Sequence, residues 1–245
     1  MTILYYGASR LYALKALIAL EEKGVRYERR PIGAVPLEQA VPGFPPGIDQ
    51  RIGVEGEGPV LVDGDATIVS SFFMLEYIAE RFDGPALVPA DPPARYRTQA
   101  VGQLVAGVIA PFVSAIAVAR HPVPVPELAG VEPVERREGW ERAGSGDTGQ
   151  IPAHVERLRA GLARLAALLD EAEWFAGAYS IADIDAYALL RELPALAEGL
   201  LEAEPALAAL LARVEARPAV QAALAISREA SDTLYLPGPE ISRWG

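Results

Sequence analysis

Every strand-like segment of this 245-residue chain lies before residue 70, and from Ala94 onward the pattern is helical throughout. Strands and helices followed by helices alone specify a mixed sheet unit and a separate helical unit, not one alternating sheet. The apolar run Ile3 to Tyr6 stops at Gly7-Ala8-Ser9, after which Leu14, Leu17, Ile18 and Leu20 recur at helical spacing. Gly24 stands where the helix needs a left-handed C′ residue, which glycine adopts without a Cβ clash. Val25-Arg26-Tyr27-Glu28 alternates apolar and charged residues as a half-buried strand does, and Pro31 ends it. Residues 33–58, rich in Gly and Pro, read as loop. Two β-rich runs then flank Asp63-Gly64, a hairpin signal, and a helix follows with Ser70 or Ser71 as cap and Phe72, Leu75, Ile78 and Phe82 on one face. The expected order is β-α-β, loop, β-β-α, then helices interrupted at Pro111, at His121 to Pro126, at Gly144 to Gly149 and at Pro218.

With 51% apolar residues a chain of this length can fill two cores. We therefore expect one domain over residues 1–83, a linker over 84–93, a helical domain over 94–232 and an apolar tail over 233–245. The absence of cysteine removes disulfides, a thiolate nucleophile and thiolate metal ligation. A formal net charge of −11 repels phosphate backbones, so no nucleic-acid partner is expected. No apolar run reaches the roughly 18 residues of a membrane helix, and Met1 leads straight into a strand-like segment, so we expect a cytoplasmic protein without a membrane partner. Gly144-Ser145-Gly146-Asp147-Thr148-Gly149 matches a dinucleotide-loop string but follows a charged segment, not a strand, so no nucleotide is expected. His121 and His154 lack an i, i+4 partner, and no metal site is expected.

Leu4-Tyr5-Tyr6, followed by Ile18-Ala19-Leu20-Glu21-Glu22-Lys23-Gly24-Val25-Arg26-Tyr27-Glu28, resembles the opening of many bacterial glutathione transferases. Three further segments agree in order: Gly58-Pro59-Val60-Leu61 with that family's cis-proline loop, Ser71 to Phe82 with its third helix, and Ser180-Ile181-Ala182-Asp183 with the Ser-x-x-Asp motif of its helical domain. The resemblance runs over residues 2–232. Ala90-Asp91-Pro92 and Trp140-Glu141-Arg142-Ala143 are faintly similar to the bacterial β-etherase branch. What this implies is a thioredoxin-like α/β domain followed by an all-α domain, a homodimer, and glutathione as co-substrate, its thiol activated for attack on a small hydrophobic electrophile. A non-catalytic binding protein of the same fold, holding apolar ligands or a protein partner, is the alternative.

The family's chemistry requires a donor to the glutathione thiolate near the start of the first helix. Ser9 is the preferred donor, because a turn hydroxyl at a helix start has the helix field behind it, with Tyr6 next and Tyr12 third. The resemblance places Arg10, Gly58, Pro59, Val60, Ser70 and Ser71 at the glutathione site, and Phe112, Ile116 and Trp140 near the electrophile. Two positions depart from the family pattern: Ser70 stands where an acidic residue usually precedes the serine, and Gly58 replaces a larger aliphatic before the proline. Ser180 and Asp183 have the spacing of a capping box, in which each side chain takes up the other's backbone amide, so Asp183 is read as structural.

Overall fold

The computed structural model describes residues 1–6, 10–31, 59–120, 148–170 and 172–230. Strand β1 (Thr2–Tyr6) pairs parallel with β2 (Glu28–Pro31) and antiparallel with β3 (Val60–Asp63), which pairs antiparallel with β4 (Ala66–Ile68). The sheet order is β2-β1-β3-β4. Leu4, Tyr6 and Leu61 face the helices, while Ile3, Tyr5 and Val60 pack together on the other face, as the period-2 alternation of strands demands.

Between β1 and β2 runs α1 (Arg10–Lys23), whose end is closed by Gly24 at φ 63°. The Gly24 amide donates to the Glu21 carbonyl and the Val25 amide to that of Leu20, both at 3.1 Å, which is the Schellman pattern. This cap corrects the strand expected over Val25 to Glu28. Val25 is taken up in closing the helix, so the ladder begins only at Glu28 and runs to Pro31. The hairpin is also shifted by one residue, because Asp63 pairs with Ala66 and the two loop residues are Gly64, at φ 60°, and Asp65. Helix α2 (Ser71–Arg81) follows β4.

The helical part opens with α3 (Pro92–Leu104), capped by Asp91, whose carboxylate accepts the Ala94 amide at 3.0 Å. A π-helical turn, Val105–Ile109, leads into α4 (Ala110–Arg120). Pro111 does not break this helix as its sequence suggests. The Ala110 amide reaches back five residues to the Val105 carbonyl, and this wider turn receives the proline at the start of α4. There follow α5 (Ile151–Leu169), α6 (Ile181–Leu190), the short α7 (Leu193–Leu196), α8 (Pro205–Glu215) and α9 (Pro218–Ala230). Pro218 sits in the first turn of α9, where its missing N–H has no intrahelical use. Among the described residues no helix is long and apolar enough to cross a membrane.

One core joins the two parts, running from Leu4 on the sheet through Leu17 and Ile18 of α1 and Leu75 of α2 to Ile184 of α6 and Leu210 of α8. Polar links cross the same boundary. Arg217, in the bend just before α9, makes a bidentate pair with Glu22 at 2.6 and 2.9 Å, and the Ile181 amide donates to the Leu87 carbonyl at 2.9 Å.

Candidate functional site

Strand register decides which residues meet. Because β1 and β4 are each antiparallel to β3, they point the same way, and the helices that follow them, α1 and α2, both begin at the same end of the sheet. Tyr5 lies opposite Val60 and Leu61 opposite Ile68, so Tyr6, Pro59 and the Ser70-Ser71 pair gather at that end. The first-turn amides of an α-helix have no intrahelical acceptors and carry the positive end of its dipole. Two such helix starts side by side form a place for a molecule bearing carboxylate and thiolate groups.

The backbone is strained there. Ser70 stands at the N-cap of α2 with φ 70° and ψ 121°, a region that non-glycine residues rarely adopt, and its side chain makes no capping hydrogen bond. Such a conformation costs on the order of 1–3 kcal/mol and clusters at ligand sites. Here it swings the chain from β4 into α2, so that Ser71 starts the helix almost fully buried. Nothing in the dipeptide Ser70-Ser71 announces this geometry, since serine is an ordinary cap residue with φ < 0.

Of the three candidate thiol donors, Ser9 lies outside the described residues, as do Gly58 and Trp140. Tyr6 ends β1 on the helix-facing side and is 7% exposed, packed in the main core. Tyr12, in the first turn of α1, is buried as well. Arg10 is the first residue of α1, and its side chain is also outside the described set. Pro59 and Val60 are buried at the start of β3. On the helical side, Ile116 is wholly inside the core. Phe112 of α4 is half-buried, its ring centroid 5.7 Å from that of His154 and 5.8 Å from the Arg157 guanidinium. Burial, and then the charge of Arg157, hold the His154 imidazole below its ordinary pKa.

Ser180 and Asp183 form the expected capping box. The Asp183 Oδ2 atom accepts the Ser180 amide at 2.8 Å and its hydroxyl at 3.0 Å, and the Ser180 hydroxyl oxygen accepts the Ala182 amide at 3.3 Å. Asp183 Oδ1 takes up a further amide, that of Phe175, at 3.1 Å. Burial nonetheless pushes this carboxyl up to about 6. Two residues on, Asp185 and Lys15 form an ion pair that the sequence reading did not single out, with Nζ to Oδ1 at 2.7 Å and side chains 4% and 2% exposed. The Lys15 ammonium lies 4.9 Å from the Tyr12 ring centroid. Complete burial raises the Asp185 carboxyl above the ordinary carboxylate range, against the opposing pull of Lys15. The available signal was two aspartates in the otherwise apolar stretch Ile181 to Leu190, of which only one is needed for the cap.

A thioredoxin-like sheet unit followed by a helical unit, within which α6 begins at a Ser-x-x-Asp cap, defines the glutathione transferase class of fold. Residues 151–226 match the family model described as Glutathione S-transferase, C-terminal domain. Glutathione S-transferase Z2 of Arabidopsis thaliana is 32% identical over 98 residues, which are 37% of this chain and 42% of that protein's length. The structure is similar to beta-etherase LigF from Sphingobium sp. strain SYK-6, with a TM-score of 0.74 and 26% identity over 92% of this chain and 99% of that one. A theta class glutathione S-transferase from Xanthomonas axonopodis pv. citri, crystallised with glutathione bound, shares the fold at a TM-score of 0.66 and 22% identity, over 96% and 98% of the two chains. Residues 151–226 thus match that family's C-terminal domain, the chain as a whole shares the glutathione transferase fold, and the curated relatives match it over less than half of their own length.

Proposed function

We propose that the chain is a glutathione transferase that binds the tripeptide at the end of the sheet where α1 and α2 begin. The single observation that carries this reading is the convergence of the two helix starts, with the strained Ser70 between β4 and α2. The γ-glutamyl carboxylate lies at the start of α2 against Ser70 and Ser71, and Pro59 and Val60 border the tripeptide backbone. The thiol sits before α1, where Ser9 donates a hydrogen bond to the sulfur. Its proton leaves to solvent, and the thiolate attacks an electrophilic carbon, displacing a leaving group with its electron pair or adding to an activated double bond. Phe112 is placed on the electrophile side. The likeness to a beta-etherase supports ethers as the first substrate class to assay.

Calorimetric titration with millimolar glutathione, together with turnover of aryl electrophiles, tests this reading. Saturable binding and glutathione-dependent product are expected. The absence of binding contradicts it and leaves the second reading, a non-catalytic binding protein for apolar ligands. That second reading draws on Ser70, whose hydroxyl supplies no charge to pair with the γ-glutamyl ammonium.

A further inference from the structure

We infer that Asp185 is a positioning residue for the thiol site, acting through Lys15 to fix the first turn of α1 against α6; this rests on the proposed glutathione transferase function. The two side chains are almost fully buried and meet at 2.7 Å, and the same ammonium lies over the ring of Tyr12, which belongs to the first turn of α1. Tyr12 and Lys15 are three residues apart and so share one face of the helix, the face turned toward α6. The pair therefore grips α1 within two turns of the point where the thiol donor is required.

Stability does not account for this arrangement. Removing two charges from water is expensive, and among the described residues Asp185 has no hydrogen-bond partner beyond its contact with Lys15 to offset it. A matched apolar pair is in general as stable as a buried ion pair, or more so. What an ion pair supplies that an apolar contact does not is a fixed distance and direction. The anchor behind it is rigid: the turn before α6 is tied by Asp183 to Phe175 and Ser180, and the Ile181 amide is tied to Leu87. Position thus passes from that turn to α6, to Asp185, to Lys15 and to the start of α1. Hydrogen-bond donors to a developing anion act over tenths of an ångström, so small drifts of α1 weaken thiolate stabilisation without unfolding the chain.

The test uses the full-length protein and the double variant Lys15→Met/Asp185→Leu, with Asp185→Asn as a second variant should the double one not fold. Three quantities are read: the melting temperature, the pKa of the enzyme-bound glutathione thiol from its ultraviolet absorbance against pH, and kcat and KM separately. A double variant that melts no lower than the parent, yet binds glutathione with a thiol pKa displaced toward that of free glutathione and loses at least about tenfold in kcat, supports the inference. If the double variant does not fold, the same displacement in Asp185→Asn supports it. A parental thiol pKa and kcat in the variant that folds overturn it and reduce the pair to packing, while the functional reading stands. If the parent itself shows no bound thiolate, the functional reading fails and this inference falls with it.

Discussion

At the scale of single residues, Asp183 shows how burial and hydrogen bonding compete within one carboxyl group. It accepts amides from Phe175 and Ser180, yet burial outweighs these bonds and raises its pKa from 3.8 to about 6. The folded chain then holds this proton more tightly than the unfolded chain does. Stability contributed by Asp183 is therefore greatest below about pH 4, falls as pH rises through the interval up to about 6, and is level above that, for a total of about 3 kcal/mol. Urea unfolding of the parent and of Asp183→Asn across pH 4 to 7 checks this: the difference between them should change in that interval and nowhere else. Asp183→Ala should lower stability by roughly 1–2 kcal/mol through loss of the capping box, while glutathione affinity of the folded protein stays near parental. For the thiol donor we expect Ser9→Ala to lower turnover by roughly 10 to 1000-fold and Tyr6→Phe to do little, since the Tyr6 ring is packed in the core. Steady-state kinetics of the two variants compares them, and a reversed result assigns the role to Tyr6.

Secondary-structure elements were legible where a local rule acts alone. The Gly24 cap, the Asp63–Ala66 hairpin region and the Ser180 cap are each written in a few adjacent residues. Boundaries slipped where two rules competed. Val25 satisfies a strand pattern and a Schellman cap equally well, and the cap prevails because it completes a helix already formed. Pro111 signals a break, but a π-turn, which no residue pattern announces, absorbs it. Close helix contact is similarly hidden. A Cβ added at Gly102 of α3 would lie 2.3 Å from the Phe72 ring of α2, so the smallest residue marks the place where these helices touch. Gly102→Ala should force that ring outward and destabilise the fold by about 1–3 kcal/mol. Adding Phe72→Leu should recover part of the loss, a coupling that thermal unfolding of the single and double variants measures.

For the whole molecule, the separation of a sheet unit from a helical unit could be read from periodicity, and the order of four modest segments pointed to the family. The candidate site was only partly legible. Pro59, Ser70 and Ser71 were named from resemblance, whereas the strain at Ser70 and the Lys15–Asp185 pair depend on tertiary contacts that spacing does not encode. Two exposed aromatics also belong to this scale: Phe73 on α2 is 64% exposed and Tyr96 on α3 is 72% exposed. Covering such surface is a reason for self-association, and light scattering at micromolar concentration should give about twice the chain mass of 26.1 kDa. A mass equal to one chain would remove that expectation. The central claim is that the helix starts at one end of the sheet bind glutathione and acidify its thiol, and the ultraviolet absorbance of the thiolate, followed against pH in the saturated parent protein, tests it most directly. A bound thiol that ionises well below the pH at which free glutathione does is the result we predict; a titration indistinguishable from that of free glutathione would contradict it.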